Sequence, residues 1–386
     1  MLRRLLGIVR TCAQAGARKR PVGADAVRLA GLVGGVLAAA SADSAELPED
    51  RAESMYHLYD GGGVTADGPA VLIRKSVLDQ LSLFASYYVD VVSNASIDVV
   101  TTASPYHETR KEHSFGADYL YHDALVSLSG SWSKEPDYSA DAASLDVSQD
   151  VFGGMTTVSA GYTRGWDEVK KHGSPYFSAQ ANHWQYRLGA TQVLTSRWLA
   201  SLNLESTSDN SYLQSPYRVA RVFGAAVPEV DPSTRTGRAV QLRVVGDVSG
   251  SGPRSSVRVQ YRYFWDTWGI GAHTAEVGYS RYVGNRWLLD AYVRYYTQGR
   301  AVFYSNDFTT EMTYMSRNRQ LSDFWDAGPG LKASYSAGRV YSLFNIKVNA
   351  AYQFLRFNYS DFTDIRTGKL YSSNANVLEF FVTATY

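Results

Sequence analysis

Metal or general-base chemistry in this 386-residue chain would have to start from its seven histidines, since the single cysteine, Cys12, falls in an arginine-rich leader. His107-Glu108 and Glu112-His113 bring two imidazoles and two carboxylates close together in sequence, a donor set that suits a divalent ion if the chain folds back on itself. Alternation places His113 among apolar residues, so we expect a solvated rim cluster and no resident metal. His122 falls in a tight turn and His172 in a loop, where exposed polar residues are ordinary. Neither a Gly-x-Ser-x-Gly elbow nor an HExxH helix is present. Gly61-Gly62-Gly63 lacks the buried strand before it and the helix after it that a phosphate loop needs, so it reads as a turn. Asp361 and Asp364 read as hydrated loop acids. No cofactor is expected and the chain does not read as an enzyme.

A second set of chemistry-bearing residues lies on alternate positions. Asp118, Asp146, Arg187, Arg243, Arg258, Arg262, Asp290, Arg294 and Lys347 all sit opposite apolar series, and are expected to line the lumen of a barrel. Acids and bases on neighbouring segments suggest cross-strand ion pairs rather than a ring of one sign. The local run of arginines at 243, 258, 262 and 294 leaves open a basic strip for an anionic solute or partner.

These residues need strands to position them. From about Ser82 the chain repeats a segment of alternating apolar and polar residues followed by a turn, for example Leu83, Ala85, Tyr87, Val89, Val91 and later Phe344, Ile346, Val348, Ala350, Tyr352, Phe354. The repeats amount to about fourteen strands, and 28 Tyr, 15 Phe and 8 Trp fit aromatic girdles. Short connections (122–123, 152–155, 195–197, 249–255, 283–286, 337–341) alternate with mostly longer ones (93–109, 168–182, 210–235, 299–320, 359–374). We therefore expect an all-β, antiparallel transmembrane barrel with short periplasmic turns and longer outer loops. A barrel that wide cannot be filled by side chains alone. The chain ends VLEFFVTATY, with Leu378, Phe380, Val382 and Tyr386 on one face, the pattern of a C-terminal barrel-assembly signal.

Three segments follow. Residues 1–42 read as a cleaved signal peptide: an apolar run from Leu29 to Ala40 after seven basic residues, then Ala40-Ser41-Ala42. Residues 43–80 read as a periplasmic arm or lumen plug, and 81–386 as the barrel. Without the signal peptide 31 basic side chains face 36 acidic ones, which argues against nucleic-acid partners. The expected partners are outer-membrane lipids and the barrel-assembly machinery.

Several strings carry a resemblance: Val89–Arg110, Ser133–Val169, TQVLTSRW (Thr191–Trp198), YLQSPYR (Tyr212–Arg218), YRYFWDTWGIGAHTAEVGYSR (Tyr261–Arg281) and FNYSDFTDIR (Phe357–Arg366). The chain resembles a family of Gram-negative outer-membrane barrels catalogued only as a domain of unknown function. The resemblance implies a barrel in the bacterial outer membrane but no reaction. It also implies a gene neighbourhood with a small lipoprotein, a thioredoxin-like protein and a flavin-transferring enzyme. The leading expectation is a channel or conduit for a small solute or partner protein. The alternatives are a non-conducting scaffold for a periplasmic lipoprotein or a redox or modification partner, and a membrane-embedded hydrolase.

Overall fold

The computed structural model describes residues 45–97, 106–340 and 343–386. The expected signal peptide, Cys12 included, lies outside them. The strands run β1 (Arg51–Gly61), β2 (Val64–Leu78), β3 (Leu81–Asn94), β4 (Tyr106–Tyr121), β5 (Ala124–Lys134) and β6 (Tyr138–Val151). They continue as β7 (Thr156–Lys171), β8 (Ser174–Thr195), β9 (Trp198–Ser211), β10 (Val219–Val222), β11 (Ala225–Pro228) and β12 (Thr234–Asp247). The last six are β13 (Ser255–Asp266), β14 (Gly271–Val283), β15 (Trp287–Gln298), β16 (Phe324–Val340), β17 (Phe344–Asp364) and β18 (Lys369–Thr385). All except β10 and β11 close into one antiparallel barrel of sixteen strands, in which each strand pairs with its chain neighbour and β1 pairs with β18. Strands β10 and β11 form a separate hairpin within the β9–β12 connection.

The fourteen expected strands are β3–β9 and β12–β18. The two additional ones correct the reading of residues 43–80, because residues 51–61 and 64–78 are neither arm nor plug but part of the barrel wall. Strand β1 closes the barrel, with Tyr56 opposite Phe380 and Leu58 opposite Leu378. Two expected long loops, 168–182 and 359–374, are instead largely tall hairpins that turn at 172–173 and 365–368. Alternation persists there, with polar residues on both faces once the strands rise past the apolar band.

Closure leaves no free strand edge, and it sorts the two faces. Leu128, Leu188, Leu242, Val277, Leu331 and Phe380 are exposed on the exterior, and Trp132, Trp166, Trp198, Trp287 and Trp325 are exposed on the same face. Apolar side chains aligned outward on a sheet with no covering layer are the mark of a lipid-facing wall. The C-terminal residues contribute to that wall: Leu378 and Phe380 are exposed, Val382 is half-buried, and Tyr386 packs edge-on to Phe344 with ring centroids 5.4 Å apart.

Candidate functional site: a charged lumen under a roof of loops

Period-2 alternation turns the charged series inward, and cross-strand register decides which groups meet. Arg187 of β8 donates to Asp146 of β6 at 2.7 Å, reaching across β7 where the intervening residue is Gly161. A Cβ at Gly161 would lie 2.1 Å from the Asp146 carboxylate and 2.8 Å from Arg187 Nε, so any larger residue must push the paired side chains aside. Gly278 plays the same part beneath Arg258, whose guanidinium lies between Glu276 at 3.0 Å and Asp290 at 3.3 Å. Arg262 faces Glu205 at 3.6 Å. These pairs keep some contact with lumen water: the Asp146 side chain is 45% exposed and that of Arg262 32%.

Elsewhere on the wall the pairs are dry. Arg294 donates to Asp326, and Arg74 donates to Asp118, which also accepts from Ser127. Arg235 donates to Asp266 in the same way. Arg243 lies on β12 opposite Gln260, and Lys347 on β17 opposite Thr383 near the short-turn rim. The arginines at 258, 262 and 294 are therefore engaged by carboxylates, and cross-strand pairing accounts for them better than a free basic strip.

Two imidazole clusters were not singled out in the sequence. His183 of β8 is bracketed by Asp167 at 2.7 Å on Nε2 and Asp209 at 2.9 Å on Nδ1, and Tyr138 donates to Asp167. His57 of β1 meets Asp90 at 2.6 Å and stacks on Tyr88 with centroids 4.8 Å apart. The signal for the first was the shared inward parity of Asp167, His183 and Asp209, but only register shows that they converge.

The expected His107-Glu108-Glu112-His113 cluster does not assemble. Nδ1 of His107 meets Ser93 at 2.7 Å, Glu112 accepts from Arg110, and His113 packs against Tyr87 on the exterior. Glu108 instead joins Glu135 and Asp137 of the β5–β6 turn, with carboxylate oxygens within 4.8 Å of one another. Among the described residues this is the group whose donors could hold a cation. Burial, together with the nearby Glu108 and Asp137 charges and despite Arg110, pushes the Glu135 carboxyl up to about 7.

The long-loop mouth is roofed. From one side the β9–β12 connection reaches out: Tyr212 N donates to Gln180 O at 2.9 Å, Tyr217 OH donates to Asp137 at 2.5 Å, and His172 N donates to Tyr217 OH at 2.7 Å. In its centre the β10–β11 hairpin abuts the β15–β16 connection, with Phe308 N donating to Arg221 O at 2.8 Å and Phe223 N to Phe308 O at 2.9 Å. On the far side that connection buries Phe303, Tyr304 and Leu321 against Trp268, Val64, Val92, Leu355, Phe357 and Val377. Each such apolar side chain withdrawn from water contributes about 1.5–3 kcal/mol. Arg317 ties it down, donating to Thr363 O at 2.6 Å with its guanidinium 4.6 Å from the Phe362 ring. Two loops thus span the mouth from the β5–β8 wall to the β17–β3 wall.

An apolar exterior, a polar interior, even strand number and long loops at one rim give this chain the fold of an outer-membrane β-barrel. It belongs to the family described as "Protein of unknown function (DUF3570)", which matches residues 90–182 and 166–352. No curated protein matches the chain. Among solved structures, a bacterial polysaccharide outer membrane secretin is similar at 9% identity with a TM-score of 0.53, covering 88% of this chain and 99% of its own. CdiB from Acinetobacter baumannii is similar at 8% identity and a TM-score of 0.47, with 86% of this chain covering 60% of that one. A Pseudomonas aeruginosa FadL homologue is similar at 12% identity and a TM-score of 0.40, covering 88% and 90%. At these identities the likeness concerns the fold.

Proposed function

We propose that this protein is an outer-membrane conduit for a small hydrophilic solute, with an outer mouth roofed by its β9–β12 and β15–β16 connections. The observation that carries the reading is the belt of water-exposed ion pairs on the β6–β15 wall, Asp146–Arg187, Glu205–Arg262 and Glu276–Arg258–Asp290. Charged groups facing lumen water keep an interior hydrated, and a hydrated interior can pass polar solutes. The polysaccharide outer membrane secretin is a barrel of comparable extent, since the likeness covers 99% of that chain and 88% of this one. His183 is a poor general base, because both of its ring nitrogens face carboxylates, leaving neither to take a proton from a nucleophile.

One observation favours a second reading. The roof is packed dry against the wall, with Ala301 of the β15–β16 connection and Val64 and Phe362 of the β2 and β17 wall fully buried, as suits a silent scaffold that holds a small periplasmic lipoprotein. Proteoliposomes distinguish the two. The folded protein, verified by heat-dependent gel mobility, should admit small sugars, and more quickly once residues 303–316 are replaced by a short Gly-Ser linker. No uptake by either form, with a lipoprotein copurifying, would favour the scaffold.

A further inference from the structure

We propose that the aqueous path prefers cations to anions, an inference that rests on the conduit reading and assigns its substrate class. The argument begins with the arginines that could have made the lumen basic. Arg187 and Arg262 each face one carboxylate, and Arg258 faces two, Glu276 and Asp290. Counting Arg243, which also faces inward on β12, four guanidiniums meet four carboxylates along the water-exposed belt. The most exposed of these charged groups is an acid, Asp146, and Asp150 of β6 adds a further carboxylate on the same inner face.

The same imbalance recurs toward the mouth on the same side of the barrel. His183 is held between Asp167 and Asp209. Above it Glu108, Glu135 and Asp137 converge at the rim, a cluster that carries part of its full negative charge at neutral pH because burial raises Glu108 and Glu135 to about 7. Arg110, on the same strand as Glu108, is engaged by Glu112. Elsewhere on the inner face strong charges are paired one to one and withdrawn from water, as in Arg74–Asp118 and, at the β15–β16 boundary, Arg294–Asp326. Lys347 near the short-turn rim lies on β17, away from the wet β6–β15 wall, and Lys332 of β16, opposite Asp290 in register, also faces the inner-wall carboxylate Glu379. The potential in the path is thus set by surplus carboxylates arranged from rim to waist, which raises the local concentration of cations.

One uncompensated charge about 6 Å from a permeating ion, in a medium as polar as water, attracts one ion sign and repels the other, a roughly tenfold preference that screening by about 0.1 M salt lowers to roughly threefold. Reversal potentials in planar bilayers under a potassium chloride gradient test the proposal, using the full mature chain and, in parallel, the chain with residues 303–316 replaced by a Gly-Ser linker. The expected result is a potassium-to-chloride permeability ratio of roughly 3. Glu276→Gln with Asp290→Asn leaves Arg258 uncompensated and should bring the ratio below unity. Asp146→Asn, at an exposed position with less bearing on folding, should lower the ratio without reversing it. A conducting protein that prefers chloride, or whose ratio ignores both changes, overturns the cation preference while leaving the conduit in place. Silence from both folded forms overturns the conduit reading and this inference with it.

Discussion

Removing one member of the Arg294–Asp326 pair should destabilise the barrel far more than removing both. The Asp326 side chain is 0% exposed and that of Arg294 7%, so the carboxylate cannot recover its solvation if the guanidinium is deleted. Asp326 Oδ2 and Arg294 Nη2 are buried and lack hydrogen-bond partners among the described residues, so little else would compensate. Arg294→Met should therefore cost about 3–5 kcal/mol, the usual consequence of stranding one charge of a buried pair. A further small loss comes from the cation–π contact with Tyr296, whose ring centroid lies 5.4 Å from the guanidinium carbon. Because the pair is itself incompletely hydrogen-bonded, Arg294→Met with Asp326→Leu should return to within about 1 kcal/mol of the parent, or exceed it. Guanidinium unfolding in lipid vesicles, followed by tryptophan fluorescence and gel mobility, measures both. A single variant within about 1 kcal/mol of the parent, or a double variant as unstable as the single, would refute the reasoning.

Other outcomes follow from the same structure. Gly161→Val should drive Asp146 and Arg187 apart at a cost of about 1–3 kcal/mol, read in the same unfolding assay. Glu135, raised from its ordinary 4.5 to about 7, favours its neutral form in the folded protein, so its unfavourable contribution is full above about 7 and fades as pH falls toward 4.5. Stability at the rim should accordingly rise on acidification through that window, and Glu135→Gln should flatten the dependence as measured by amide exchange of the β5–β6 turn. Arg317→Ala removes the tie to Thr363 O and Phe362, and should expose the β15–β16 connection to protease on intact cells while the barrel stays heat-modifiable.

How far the sequence announced this structure depends on what faces the inner wall. From β3 onward one face is lipid and the other mostly polar, and alternation marked the strands. In β1 and β2 it was blurred, because inner residues there are apolar too: Tyr59, Val64, Ala66 and Leu72 are buried, Tyr59, Val64 and Ala66 of them in the core beneath the roof, while Tyr56, Val71 and Ile73 face outward. Apolar residues on both faces erase the two-residue period, and the segment read as something other than wall. The lumen charges were legible as a set but not as pairs, since Arg258 and Asp290 lie 32 residues apart and only register joins them. The roof was read as a loop; nothing local to Phe303, Tyr304 and Phe308 says that they turn inward rather than outward.

Single-channel recording tests the central claim most directly. The mature protein and the variant lacking the packed part of the β15–β16 connection would be compared in planar bilayers after proof of folding. The account predicts discrete openings that become larger or longer-lived when the roof is shortened, since the roof and not the wall closes the lumen. Equal silence from two correctly folded barrels would contradict it.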